Sequence, residues 1–480
     1  MSLASRRVMS RRALLCGLLL LSGCNLAPRY EPPPVAMADQ FPSPETHGAR
    51  APELPWQDFF HDPVLRDLIG KALDNNRDLA AAAARIEQAR AQFRIQQSQR
   101  LPSVNLGGSA DRLRAAVSPA EDAPRVTVDS YAVQVGIPAF ELDFWGRVAN
   151  LSESARRQYL STVEAERAFR LSLIANVAAS YYAMRSAEEG IVLAQKSLDS
   201  RRETMELAQL RMDVGFTSSI DYNQSYTLVT QAETQLAQLK RGREQTLHLL
   251  QQFVGVPLPD PLPPSLPLED TTQIAPLAPG LPSDLLNDRP DVRAAEERLR
   301  AANANIGAAR ALYFPTIALT GAAGYASDEL SNLFSGPNHL WTFGVGATLP
   351  LLDWGRRRSQ VELAQGQRNE LEATYQSTVQ NAFREVADGL SATQHNAEQI
   401  QAQIRTVEAQ AALVTTAEDR YGVGLTPYLE VLDAERNHFA AEQTLLQLRA
   451  SDLQDRVNLY AALGGGDLPP PQKTVASHDR

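Results

Sequence analysis

The sequence predicts a mainly α chain with a small β part, built twice from one unit: a helix, a β-hairpin and a long helical pair. Three observations carry this prediction. Asp78 to Pro102 matches Asp291 to Pro315 at a shift of 213, through Ala81/Ala294, Ala82/Ala295, Arg85/Arg298, Ala89/Ala302 and Ala91/Ala304. Arg211-Met-Asp-Val-Gly-Phe-Thr217 matches Arg420-Tyr-Gly-Val-Gly-Leu-Thr426 at a shift of 209. Between them, Leu142-Asp143-Phe144-Trp145-Gly146-Arg147 echoes Leu352-Asp353-Trp354-Gly355-Arg356. The shift hardly drifts, so a whole half-chain is duplicated. At about 210 residues the unit is too long for a solenoid repeat.

The N-terminus reads as a secretory signal over 1–23. Arg6, Arg7, Arg11 and Arg12 precede the apolar run Ala13 to Leu21, which is too short to span a membrane with these flanks. It ends Leu21-Ser22-Gly23-Cys24, a lipobox pattern, so Cys24 is expected to carry covalent lipid. Several acyl chains anchor a protein stably where one does so only marginally. Asn25 follows, not the aspartate that commonly retains lipoproteins in the inner membrane. Loss of the signal takes the net charge from −10 to about −14 and leaves Cys24, now acylated, as the sole cysteine. That balance argues against nucleic acid as a partner.

Residues 24–55, rich in proline and alanine, are expected to be a lipidated extended tether. The first copy is placed at 56–256. Trp56, Phe59, Phe60, Leu65 and Leu68 are its candidate packing cluster. A helix over about 63–99 stops before Pro102, because proline lacks the amide hydrogen and disfavours helix in its predecessor. A hairpin follows over about 102–143: Val104 and Leu106, then Tyr131, Val133, Val135 and Ile137, alternate with other residues at the strand period. From Arg147 the chain is proline-free and is expected to be helical for about 50 residues, roughly 75 Å. Val214-Gly215 breaks it before a second long helix.

The Pro-rich stretch 257–283 separates the copies. The second copy, 284–466, repeats the order. A helix over 284–311 stops before Pro315. A hairpin over about 315–352 carries Ile317 and Leu319, then Trp341, Phe343, Val345, Ala347 and Leu349. A long helix from Arg356 breaks at Val423-Gly424. Linkers at about 112–128 and 326–340 join the strands of each pair. Leu446, Ala450, Leu453, Val457 and Tyr460 step by four and three, a coiled-coil seam. Aromatic residues gather at the strand ends, and 467–480 is a polar tail.

No stretch of 18 apolar residues follows the signal, so a membrane-crossing role requires a closed β-barrel. Four strands cannot close one, since known barrels begin at about eight. Several chains would have to share a barrel: two give eight strands, three give twelve.

Over nearly the whole mature chain the sequence resembles the outer-membrane factors of tripartite efflux pumps, the TolC-like family, in its NodT/OprM-like lipoprotein branch. Trp56-x-x-Phe59-x-x-Asp62-Pro63, Arg289-Pro290-Asp291-Val292-x-x-Ala295-Glu296, Ile306-Gly307-Ala308-Ala309-Arg310, Phe314-Pro315 and Tyr460-Ala-Ala-Leu-Gly464-Gly465-Gly466 carry the resemblance. It implies a homotrimer. A 12-strand outer-membrane β-barrel would continue into a 12-helix periplasmic α-barrel, with an equatorial belt from the inter-copy linker and terminal segments. It implies a passive exit duct, docked on a periplasmic membrane-fusion adaptor and an inner-membrane transporter of the RND type.

The resemblance also places a gate just after the Val-Gly breaks. Glu430 and Asp433, three apart on one helix face, match two acidic ring positions, with Glu430 replacing the usual aspartate. Crowded carboxylates raise one another's pKa and attract cations. Asp221 and Tyr421 match residues that hold the closed state through neighbours, and Thr426 stands where those relatives have the arginine partner.

Enzyme chemistry finds no support. The seven histidines show no H-x-x-x-H or H-E-x-x-H spacing, and no G-x-S-x-G or G-x-x-x-x-G-K-[ST] occurs. No cofactor is expected beyond lipid on Cys24. The alternatives are a periplasmic coiled-coil adaptor or scaffold, and the outer-membrane component of type I secretion.

Overall fold

The computed structural model describes residues 25–35, 41, 48–116, 125–278, 280 and 282–466. Cys24, the signal and the polar tail lie outside the described residues. The chain divides into two compact units. One takes Met1–Pro34, Arg85–Val163 and Ala294–Gln376; the other takes Val35–Ala84, Glu164–Arg293 and Ser377–Arg480.

Six strands and nine α-helices are described. The strands are β1 (Ala49–Arg50), β2 (Asn105–Ala116), β3 (Arg125–Glu141), β4 (Leu277–Ala278), β5 (Thr316–Ser327) and β6 (His339–Thr348). The helices are α1 (Trp56–Phe59), α2 (Pro63–Asn75), α3 (Arg77–Ser98), α4 (Arg147–Asp213), α5 (Ser219–Val254), α6 (Leu285–Asp288), α7 (Pro290–Ala311), α8 (Arg356–Gly422) and α9 (Tyr428–Ala462). The two copies repeat helix, hairpin, long helix, shorter helix.

In the first unit, β2, β3, β5 and β6 form one antiparallel sheet in that order. Both hairpins therefore join within one chain, through β3 and β5. β2 and β6 are its edges. The register sorts side chains by period two. One face carries Leu106, Val133, Val135, Ile137, Ile317, Leu319, Trp341, Phe343 and Val345. The other carries Gly107, Ser109, Ala132, Gln134, Gly136, Ala318, Thr320, Ala322, Gly324, Thr342, Gly344 and Gly346. The apolar face is uncovered: Leu106 is 75%, Trp341 71% and Phe343 67% exposed. Pro138, which cannot donate to a ladder, sits where the β3–β5 register shifts between Ile137 and Phe140. β2 and β3 run through most of 112–128, which sequence reasoning assigned to a linker. Paired Arg112 and Asp129 keep strand geometry there despite their charge.

Aromatic residues close the lower end of the sheet. Trp145 stacks on Phe314 at 4.6 Å and donates from Nε1 to the Pro315 carbonyl at 2.8 Å. The Arg357 guanidinium lies 5.5 Å over the Tyr313 ring. Residues 25–34 form neither helix nor strand, and they are docked on α7. Asn303 donates to the Pro28 carbonyl at 2.8 Å, Tyr30 to Glu296 at 3.2 Å, and Arg300 lies over the Tyr30 ring. At Gly307 a Cβ would stand 2.7 Å from the Ala27 nitrogen, so only glycine admits the strap there.

In the second unit the predicted aromatic cluster is the core. Phe59 and Phe60 are fully buried; Phe59 stacks on Tyr460 at 4.1 Å. The Tyr460 hydroxyl donates to the Leu54 carbonyl at 2.9 Å and accepts from Gly466 N–H at 2.8 Å. Asp62 caps α2 through Val64 N–H and accepts from Tyr181 at 2.6 Å. The inter-copy linker packs here: Leu258, Leu262, Leu268, Ile274 and Leu277 are buried, and β4 pairs with β1. The seam on α9 buries Ala450, Leu453, Val457 and Tyr460.

The helices differ from expectation at three points. The span 284–311 divides at Arg289, whose backbone is extended ahead of Pro290, into α6 and α7. The span 63–99 breaks at Asn76, whose side chain caps α3 through Leu79 N–H and donates to the Phe253 carbonyl. The long helices α4 and α8 each hold 67 residues, not about 50. That is about 100 Å at the standard rise. Nothing halts α4 before the Val-Gly break: Gly190 sits in its interior, where an added Cβ would stand 3.6 Å from the Leu446 and 3.7 Å from the Leu239 side chain.

Candidate gate and conducting surface

The Val-Gly breaks are twin helix terminators. In the first, Phe216 N–H bonds the Arg211 carbonyl at 2.8 Å and Gly215 N–H the Met212 carbonyl at 3.0 Å. In the second, Leu425 N–H bonds the Arg420 carbonyl at 2.9 Å and Gly424 N–H the Tyr421 carbonyl at 3.0 Å. This is the Schellman pattern, and it needs a left-handed residue. Gly215 and Gly424 both have φ of 78°. The turns expose Val214, Phe216, Val423 and Leu425.

After each turn a helix begins and an acid stands in its first turn: Asp221 on α5 and Glu430 on α9. They hold equivalent positions in the two copies, at the shift of 209. Both complement the positive end of a helix. Asp221 accepts from the Thr217 hydroxyl. The equivalent hydroxyl, Thr426 Oγ1, has no partner among the described residues, and Glu430 is exposed. Asp433 is exposed too and pairs with Arg436 at 3.0 Å.

Tyr421 has its arginine, but from elsewhere. Arg211, at the end of α4, donates to the Tyr421 hydroxyl, and its guanidinium carbon lies 4.8 Å from the ring centre. Tyr421 packs in turn on Tyr428 at 4.9 Å, beside the buried cluster of Ala417, Tyr428, Val431 and Leu432. Burial holds the Tyr428 phenol well above its ordinary pKa. The sequence showed Thr426 in the arginine's place and left the link weaker or built differently, without pointing to Arg211. Its signal was present, since Arg211 and Arg420 align in the repeat.

Further along α9, Glu435 faces Glu418. Burial first, and then the Glu418 charge, push the Glu435 carboxyl up; Arg201 opposes this. His438 lies 3.6 Å from Glu442, and these residues line a cavity of about 140 Å³ with Phe439 and Val414. Among the described residues no cluster of histidine, cysteine and acids could hold a metal ion.

The family model for outer membrane efflux proteins matches residues 68–256 and 281–465, one stretch in each copy. The chain belongs to the outer membrane efflux protein family. The probable efflux pump outer membrane protein TtgC of Pseudomonas putida is 39% identical over 454 residues, covering 93% of each chain. The outer membrane protein OprJ of Pseudomonas aeruginosa is 36% identical over 93% of this chain and 94% of its own. Among solved structures, the open state of the Neisseria gonorrhoeae MtrE outer membrane channel aligns with a TM-score of 0.83 and 35% identity, covering 92% of this chain and 98% of its own. CusC, a transmembrane channel, aligns at 0.83 and 33% identity over 92% and 100%. An outer membrane efflux protein is a conduit of the outer membrane. The match through both hairpins sets aside the periplasmic scaffold.

Proposed function

We propose that three copies of this chain close one 12-stranded barrel in the outer membrane, and that the Val-Gly turns form its periplasmic gate. The sheet carries this reading. The outer edges of β2 and β6 have no partner among the described residues, and an unpaired edge in hydrocarbon costs several kcal/mol per backbone group. One face is apolar and exposed, suited to lipid; the other is small and polar, suited to a bore. The strands hold 12, 17, 12 and 10 residues, at or above the roughly 9–11 a tilted crossing needs.

In this reading Glu430 and Asp433 ring the closed end with six carboxylates, while Asp221, Thr426 and the Arg211–Tyr421 contact hold the turns. Lipid on Cys24 adds the anchor, and the strap on α7 leads from it. A membrane-fusion adaptor and an RND-type inner-membrane transporter supply cargo and energy, because the chain has no nucleotide-binding loop. Relatives carry the names of toluene, solvent and antibiotic pumps, which favours small organic cargo. The test is the protein extracted from outer membranes, run unboiled on a gel and then reconstituted in planar bilayers. A band near three times the monomer mass together with ion currents is expected. A strictly monomeric species without currents overturns the reading.

A further inference from the structure

The outer end of the first hairpin carries a charged cluster. On the apolar face, alternate residues of β2 run Leu106, Gly108, Ala110, Arg112 and Arg114. Their partners on β3 are Val135, Val133, Tyr131, Asp129 and Thr127, and Arg125 stands opposite Ala116 on the same face. The apolar stripe thus ends in three arginines and one aspartate. Asp111 pairs with Ser130 on the other face and does not offset them. The chain as a whole has a net charge of −10, so this cluster runs against its sign.

The cluster is organised. Arg112 donates from Nε and Nη2 to the two carboxylate oxygens of Asp129, at 2.5 and 2.8 Å. Its side chain nevertheless stays 72% exposed. A guanidinium has five N–H donors, so the pair fixes its plane and leaves donors free. Arg114 and Arg125 are exposed, and neither makes an ion pair among the described residues. Tyr131 lies just inside the cluster on the same face, with Tyr325 and Trp341 across the sheet. Aromatic residues of this kind mark the boundary between hydrocarbon and headgroups. Helices enter and leave the sheet at its opposite end, so the cluster belongs to the outer boundary.

We propose that Arg112, Arg114 and Arg125 bind the phosphate groups of the anionic glycolipid of the outer leaflet. Guanidinium forks match phosphate oxygens in pairs, and a headgroup boundary is where such forks meet them. The inference rests on the barrel reading, which orients this face toward lipid.

The test uses the full-length protein in three nanodiscs: phosphatidylcholine alone, phosphatidylcholine with phosphatidylglycerol, and phosphatidylcholine with bisphosphorylated lipid A. Lipid retained on the protein is read by native mass spectrometry. Wild type is expected to retain lipid A over both phospholipids and over dephosphorylated lipid A. Arg114→Gln/Arg125→Gln should bind it about tenfold more weakly, while Arg114→Lys/Arg125→Lys keeps part of the affinity. Equal retention by the glutamine variant and wild type overturns the proposal. So does phosphatidylglycerol held as firmly as lipid A. Ion currents are recorded on each variant. Currents that persist while lipid A retention never appears sink this proposal alone; a protein with no currents in any form sinks the barrel reading.

Discussion

Thr217 and Thr426 hold matching places, yet among the described residues Thr217 bonds its acid and Thr426 bonds none. That asymmetry leaves Glu430 open to solvent, and in the proposed gate it would offer, with Asp433, carboxylates to a passing cation. In planar-bilayer recordings Glu430→Gln/Asp433→Asn is expected to lower cation over anion selectivity; unchanged reversal potentials would take both residues out of the bore. Arg211→Ala removes a hydrogen bond and a cation–π contact worth about 1–2 kcal/mol together. More frequent openings are expected, with a smaller effect from Tyr421→Phe, which keeps the ring. Glu435 sets a pH dependence. Its raised folded-state pKa means the folded chain holds this proton more tightly than the unfolded chain does. Stability from this site is therefore present at low pH and lost as pH rises through the folded value. Glu435→Gln should raise Tm near neutral pH and leave it unchanged in acid. An equal gain at both ends of a pH-resolved melting series would refute this.

Helix ends and strand faces were the legible elements. Proline at 102 and 315, and glycine at 215 and 424, act through local backbone chemistry, so the sequence displays them directly. Gly215→Ala and Gly424→Ala test that chemistry, because nothing lies within 4 Å of either added Cβ. Each should cost about 1 kcal/mol from the left-handed backbone alone, read as a lower Tm in detergent. The alternation of Tyr131, Val133 and Val135 likewise exposed which face is apolar. Other features were hidden because they depend on distant partners. The Asn76 side chain that caps α3 is also tied to the carbonyl of residue 253. Arg211 meets Tyr421 only after 210 residues of intervening fold. The tether gave no sign of docking, since extended chain has no periodicity and Gly307 shows its purpose only beside Ala27.

For the whole molecule, duplication was plain in the sequence, while the joining of the hairpins was not. Period-two patterns name strands without naming their neighbours, so the β3–β5 junction had to come from the fold. That junction leaves a single chain as an incomplete arc. Such an arc has no stable resting place in a bilayer, which makes oligomerisation a condition of insertion and not a later refinement. Genetic behaviour follows. A subunit damaged along β2 or β6 still enters rings with sound ones and spoils them. Coexpressed at parity with the intact chain, it should leave only about one ring in eight wholly intact, if three subunits mix at random. Such a lesion would be dominant, whereas outright loss of one gene copy would merely halve the supply.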